Sequence, residues 1–130
     1  MKNYAEYNGV CLKITAARVL EIEDKLDAGI IEKMNGAADQ LRVLSTIIAG
    51  AIPNGEWEER HNKALSFYEK MLAENKNITD YQMLVFELLV AAGFMSGEEL
   101  KLKTALLNLQ KQNLAASVKN LGELQTPSQS

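Results

Sequence analysis

The sequence has very little of the two residues that most often bind metals or act as nucleophiles. Its 130 residues include one cysteine, Cys11, and one histidine, His61. One cysteine excludes an intrachain disulfide and a cysteine-rich zinc site. One histidine excludes a di-iron bundle, which needs Glu-x-x-His on two helices. We therefore predict no metal or other cofactor, and we interpret Cys11 as a buried or idle thiol and His61 as a core-edge residue beside Trp57 and Met71.

Glycine-rich loops and basic clusters are also missing. No glycine cluster resembles a dinucleotide fingerprint or a phosphate loop, which disfavours nucleotide binding. The formal net charge is −3, so the electrostatic footprint of a nucleic-acid-binding protein is absent. The C-terminal lysines are scattered among acidic residues and have no aromatic neighbours for base stacking: Lys101, Lys103, Lys111 and Lys119.

Long hydrophobic runs are absent as well. The longest, LVFELLVAAGFM (Leu84 to Met95), includes Glu87 and is shorter than the roughly 20 residues that cross a bilayer. The N-terminus, MKNYAEYNGV, is polar where a signal peptide needs an apolar segment. We expect a cytoplasmic protein that does not enter a membrane.

Helical periodicity dominates what is present. We predict an all-α fold, a single helical domain of five to six short helices over residues 1–125, followed by a flexible polar tail at 126–130. Asn8-Gly9 precedes alternating apolar residues, which predicts a short N-terminal β-hairpin or extended arm. The predicted helix boundaries rest on capping and turn residues: an N-cap at Thr15, ends near Gly29, at Asn35-Gly36 and at Pro53-Asn54-Gly55, and capping boxes at Thr79/Gln82 and Ser96/Glu99.

An acidic cluster lies on the first helix. Paired carboxylates serve in metal and acid-base sites, but helical spacing places Glu23 and Asp27 on a polar side, and Lys25 is spaced to pair with Glu21. We interpret the cluster, which also includes Asp24, as a solvated helix face.

Apolar surface is the remaining candidate for function. The fifth helix is apolar on nearly every side, so it is predicted to be central or partly exposed to a partner. Leucines recur at steps of seven along the last helix. The candidate partner-binding residues are Tyr81, Leu88, Phe94, Met95, Leu100, Leu107 and Leu114; the alternative is that all of them belong to the core.

Three segments resemble a known family. NGVCLKITAARVLEIEDKL (Asn8 to Leu26) is similar to the opening of tail assembly chaperones from long-tailed, siphovirus-type bacteriophages and prophages. QLRVLSTIIAGAI (Gln40 to Ile52) and EKMLAENKNITDYQMLVFELLVAAGFM (Glu69 to Met95) resemble later helices of that family. The chain departs from it at Asp27-Ala28-Gly29, where family members often carry Asn-Pro.

The resemblance implies a role in virion assembly without catalysis. Proteins of that family bind the long helical tape measure protein, keep it soluble and promote assembly of tail tube subunits around it. It thus implies the tape measure protein and the tail tube protein as partners, a homo-oligomer, and the bacterial host cytoplasm as location. Membrane and nucleic-acid partners are not expected.

Two other functions stay open from the sequence. A small regulator could bind DNA through a helix-turn-helix at the turn from Asn75 to Asp80, although the acidic net charge opposes it. An enzyme could assemble a site from Glu87, His61 and Tyr68, although no motif specifies that geometry.

Overall fold

The computed structural model describes residues 3–38 and 40–109. By its contacts the chain divides into two units, residues 1–100 and a second that begins at Lys101. This division leaves the predicted domain limit at residue 125 untested, and the predicted tail at 126–130 lies outside the described residues. The predicted all-α fold with an N-terminal hairpin is confirmed: the described residues form six helices and one two-stranded sheet.

The hairpin follows from its turn. Strands β1 (Ala5–Tyr7) and β2 (Val10–Leu12) pair antiparallel, and the two residues between them are Asn8 and Gly9. Asn8 has φ 53° and Gly9 φ 78°, the left-handed conformations that a two-residue turn requires and that these residues tolerate best. A hydrogen bond from the Lys13 N–H to the Ala51 carbonyl, 3.0 Å long, joins the end of the hairpin to the third helix.

Helix α1 (Ala16–Leu26) begins as predicted and ends earlier than predicted. The Thr15 hydroxyl accepts a hydrogen bond from the Arg18 N–H at 3.3 Å, which confirms the N-cap. The helix closes at Asp27 instead of near Gly29, since Asp27 itself takes the left-handed conformation with φ 56°.

Helix α2 (Ile30–Ala37) continues through Asn35-Gly36, so the predicted stop there was wrong. Ile30, Met34 and Ala37 are all buried, and Ala37 reaches the core only if the helix continues past the glycine. Packing therefore overrides the weak helix propensity of Gly36.

Helix α3 (Leu41–Ala51) is the centre of the first unit and packs against α1, α4 (Trp57–Ala73) and α5 (Ile78–Ala91). Its residues from Val43 to Ala51 are all buried. The predicted break at Pro53-Asn54-Gly55 is confirmed, because α3 ends before it and α4 begins after it.

Close approach of α1 to α3 depends on Gly50. A Cβ atom at Gly50 would overlap the side chain of Ile22, which is fully buried on α1. Glycine is therefore required for the packing distance of these two helices.

Helix α5 is capped by residues two positions before the predicted ones. The Asp80 carboxylate accepts from the Asn77 N–H at 2.9 Å, and the Asn77 side chain accepts from the Thr79 N–H at 2.9 Å. Gln82, predicted to complete a capping box with Thr79, is buried and donates to the Ala38 carbonyl at 2.7 Å. That tertiary hydrogen bond removes Gln82 from any capping role, so this prediction was wrong.

Helix α6 begins at residue 97 and is described to residue 109. Ser96 and Glu99 form the capping box that the sequence predicts: the Glu99 N–H donates to the Ser96 hydroxyl at 3.1 Å, and the Glu99 carboxylate accepts from the Ser96 N–H at 3.5 Å. No helix among the described residues is both long enough and apolar enough to cross a bilayer.

Candidate protein-binding surface

The acidic cluster on α1 is structural. Both Glu21 carboxylate oxygens accept from the Arg60 guanidinium on α4, each at 2.8 Å, and Glu21 also lies 3.9 Å from Arg18. The hydrogen bond from Arg60 holds the pKa of the Glu21 carboxyl below its ordinary value. Lys25, which was expected to pair with Glu21, also lowers that pKa through its charge, but it forms no direct ion pair with Glu21 and its ammonium lies over the Trp57 ring, 5.1 Å from the centroid.

Other carboxylates of the cluster divide between capping and solvent. Glu23 accepts from the Ile30 N–H at 3.1 Å and so caps the start of α2, whereas Asp24 and Asp27 are exposed. Among the described residues, no group of three or more histidine, cysteine, aspartate or glutamate side chains has the arrangement of a metal site.

Arg60 is the main polar residue of the core. It is only 4% exposed, and besides Glu21 it donates to the carbonyls of Ala49 and Gly55, each at 2.9 Å. Its guanidinium also lies beside the Trp57 ring. Four of the five N–H donors of this buried charge are used in this way, and the four bonds connect α4 to α1, to α3 and to the loop after α3.

A serine and the single histidine meet inside the fold. Ser45 Oγ lies 3.1 Å from His61 Nε2, and its hydroxyl also donates to the Arg42 carbonyl at 3.2 Å. Ser45 is fully buried, so its oxygen is out of reach of a substrate. The His61 ring stacks on Trp57, with centroids 5.6 Å apart, which fits the predicted core-edge position.

The three residues of the hypothetical enzyme site lie in different surroundings. Glu87 lies in a groove between α5 and the N-terminal segment, Tyr68 packs its ring against Tyr81, and His61 bonds to Ser45. Among the described residues, none of the hydrogen bonds and ring contacts found joins two of these three side chains.

The helix-turn-helix hypothesis concerns α4, the turn from Asn75 to Asp80, and α5. A recognition helix must expose one face to the major groove. Within α5 the only residue that is more exposed than half-buried is Glu87, whose charge a phosphate backbone repels. The geometry of α5 thus favours a role in the core over contact with DNA.

The predicted partner-binding residues of α5 and of the segment that follows it lie mostly inside the fold. Tyr81 and Leu88 are fully buried, and the Tyr81 hydroxyl donates to the Ala64 carbonyl. In this conformation a partner reaches neither side chain, because both belong to the core. Met95 is buried too, while Phe94 is half-buried.

The two described residues of α6 that were predicted to bind a partner lie on its less accessible side. Leu100 is half-buried and Leu107 is buried, and Leu114 lies outside the described residues. Seven residues amount to nearly two turns, which places Leu100 and Leu107 on the same face.

A different set of leucines on α6 is exposed. Leu102, Leu106 and Leu109 are 64%, 51% and 52% exposed. Their spacing of four and three residues places all three on one face of the helix. We call these three residues the leucine stripe.

Comparisons with models of protein families, curated protein sequences and solved structures gave no match. The candidate surface therefore rests on this chain's own geometry.

The leucine stripe could have been predicted from the spacing of its residues in the sequence. Its 4-3 spacing is the apolar pattern of a helix that packs against another helix. The leucines at steps of seven drew attention instead, since they recur over a longer stretch. Periodicity identifies the apolar positions of a helix, but burial decides which of two apolar faces stays accessible.

Proposed function

We propose that this chain is a tail assembly chaperone of siphovirus-type bacteriophages or prophages. It binds the tape measure protein, keeps it soluble, and promotes assembly of the tail tube around it. The role is non-enzymatic, takes place in the cytoplasm of the bacterial host, and involves several copies of the chain per client.

Resemblance in the first three quarters of the chain supports the specific role. The segments Asn8 to Leu26, Gln40 to Ile52 and Glu69 to Met95 are those similar to the family. They correspond to the hairpin turn with β2 and α1, to α3, and to the last part of α4 with α5.

The leucine stripe is the observation that carries a protein-binding role. Three aligned leucines, each at least half exposed, form an apolar seam that a soluble helix normally covers. A long helical client exposes complementary apolar stripes, and two such helices pack by inserting side chains between one another.

The binding free energy expected from the leucine stripe is small enough for reversible binding to the client. Burying the exposed half of each leucine contributes about 1 kcal/mol, or about 3 kcal/mol for the stripe. A single contact of this size is weak, but copies along one client act together through multivalency. Weak individual contacts also allow tube subunits to displace the chaperone as the tube grows.

Co-expression tests the proposal. The tape measure protein from the same genome is produced alone, with the wild-type chain, and with the triple variant Leu102→Gln, Leu106→Gln, Leu109→Gln. We expect soluble client with the wild type, and about 100-fold weaker binding by the triple variant, which corresponds to the 3 kcal/mol above. Glutamine keeps the helix propensity while removing the apolar surface.

A double variant, Leu20→Gln with Leu72→Gln, is the matched control, because both leucines are exposed but lie on α1 and α4. It should protect the client like the wild type. Equal precipitation of the client with and without the wild-type chain would refute the proposed function. If the wild type and the triple variant protect the client equally, the leucine stripe is not the surface that binds it.

A further inference from the structure

A groove of about 360 Å³ lies between the N-terminal segment and α5, within residues 1–100. Tyr4, Ala5 and Glu6 form one wall, and Glu87, Val90 and Ala91 form the other, with Leu100 at one side. Its volume lies within the range of about 300–1,000 Å³ that is typical of binding sites. We call it the acidic groove.

Two carboxylates line the acidic groove, one on each wall. Glu6 is on β1 and Glu87 is on α5, and neither carboxylate takes part in the two ion pairs of Glu21 described above. Among the described residues that line the groove, none is basic. The adjoining cavity, which shares both carboxylates, adds Asp80 and one lysine, Lys76, so three carboxylates and one ammonium group line the two cavities together and their charge is net negative.

Apart from Tyr4, the other side chains of the lining are apolar. Val90, Ala91 and Leu100 are half-buried and supply hydrocarbon surface beside the two carboxylates. Lysine and arginine side chains complement such a lining, because each has an aliphatic stem and a cationic end. A simple metal ion or a small ammonium compound would leave the apolar lining uncovered.

Partial burial makes the Glu87 charge costly in the absence of a partner. Desolvation raises the pKa of the Glu87 carboxyl above its ordinary value, because fewer water molecules stabilise the anion. A cation brought next to it restores the lost stabilisation.

The acidic groove continues along α5 into a second cavity of about 200 Å³, which shares Glu6 and Glu87. Met71, Met83 and Leu84 contribute to its lining, and methionine adapts readily to different apolar partners. Lys76 and Asp80 lie in the lining of this second cavity. The continuation accommodates apolar residues next to the basic one, so an extended segment of a protein fits better than a single amino acid.

We propose that the acidic groove binds a lysine or arginine side chain of a partner protein, between Glu6 and Glu87, with neighbouring apolar residues of the partner in the adjoining cavity. This surface is separate from the leucine stripe, and the proposal does not depend on the function proposed above.

The test uses the full chain and a defined probe, an acetylated and amidated peptide of alternating lysine and leucine. Amide chemical shifts are followed by NMR during titration. Shifts are expected at residues 4–6 and 87–91, and the double variant Glu6→Gln, Glu87→Gln should bind about 5- to 10-fold more weakly, as expected for two partly exposed charge contacts. The same peptide with glutamine for lysine should bind as weakly to the wild type.

The control variant is Glu58→Gln with Glu69→Gln, which changes the net charge equally at two exposed positions on α4. It should keep the wild-type affinity within about twofold, since attraction to net charge alone is screened at moderate salt. Circular dichroism verifies folding, and Glu87→Gln removes a charge that the fold disfavours. Equal weakening in both double variants, or shifts confined to residues 102–109, would overturn the proposal.

Discussion

Arg60 and Glu21 lie 39 positions apart in the sequence and form a two-pronged ion pair, with both nitrogen–oxygen distances at 2.8 Å. Arg60 is almost completely buried, whereas the Glu21 side chain is 31% exposed. The pair therefore joins the core to its edge, and the arginine bears the larger desolvation cost if the contact is broken.

Removing the arginine should destabilise the fold strongly. Arg60→Met deletes the ion pair and leaves the carbonyls of Ala49 and Gly55 without their donors, so we expect a loss of about 3 kcal/mol in the free energy of unfolding. Urea denaturation measures it. The exposed Arg42→Met is the control and should change stability by less than about 0.5 kcal/mol. Similar losses in both variants would mean that the hydrogen bonds of Arg60 contribute little.

Acid should weaken the same contact. The pKa of Glu21 is lowered in the folded state, so its contribution is present above the ordinary value of 4.5 and is lost as the pH falls through the folded-state pKa. We expect Glu21→Gln to be less stable than the wild type at neutral pH, with the difference shrinking below pH 4.5. Glu87→Gln should behave oppositely, because burial raises that pKa, and should be slightly more stable than the wild type at neutral pH. Urea unfolding midpoints of each variant and of the wild type, measured across this pH range, test both expectations. A stability difference between Glu21→Gln and the wild type that does not change with pH would contradict the lowered pKa of Glu21.

A methyl group at Gly50 should separate α1 from α3. Gly50→Ala gains helix propensity, but overlap with Ile22 outweighs it, and we expect a net loss of about 1–2 kcal/mol. Gly36→Ala is the matched control, since Gly36 is also helical and has open space around it; it should stabilise by about 0.5–1 kcal/mol. In an Ile22→Ala background, Gly50→Ala should cost less than it does alone, whereas simple additivity would argue against the contact.

The Tyr7 hydroxyl is buried and has no hydrogen-bond partner among the described residues. Burial, and secondarily Glu74, raise the pKa of Tyr7, while its ring packs edge-on against Phe67. Tyr7→Phe removes the unsatisfied oxygen and keeps the ring, so thermal or urea unfolding should show a gain of about 1 kcal/mol. Tyr81→Phe removes a satisfied hydroxyl and should lose about 1 kcal/mol. Loss of stability in Tyr7→Phe would indicate that the oxygen has a partner in solution.

Local signals in the sequence predicted local structure well. Asn8-Gly9, Thr15 and the pair Ser96/Glu99 each fix backbone geometry within four residues, so no knowledge of the tertiary fold was needed. The predicted capping box at Thr79/Gln82 failed because the Asn77/Asp80 pair lies two positions earlier. Gln82 is then free to bond to Ala38, a contact that only the tertiary fold creates.

Long-range polar contacts and surface exposure were not predictable in the same way. Arg60 occupies a helix with charged residues on both sides, and nothing in its spacing indicates that it turns inward toward Glu21. The choice between the two leucine faces of α6 likewise depends on what covers each face. Such features require the positions of elements that are far apart in the sequence.

The hydrogen bonds of Arg60 also decide where a reporter can be inserted. Asn54 and Gly55 are exposed, and by exposure alone their loop would be a natural place for a fluorescent protein or an epitope tag. Yet Arg60 donates to the Ala49 carbonyl before that loop and to the Gly55 carbonyl at its end, so an insertion between them would pull apart two anchors of one side chain. The turn at Asn8-Gly9 is exposed, and no distant side chain among the described residues is found to bridge it, which makes it the better point for a fusion.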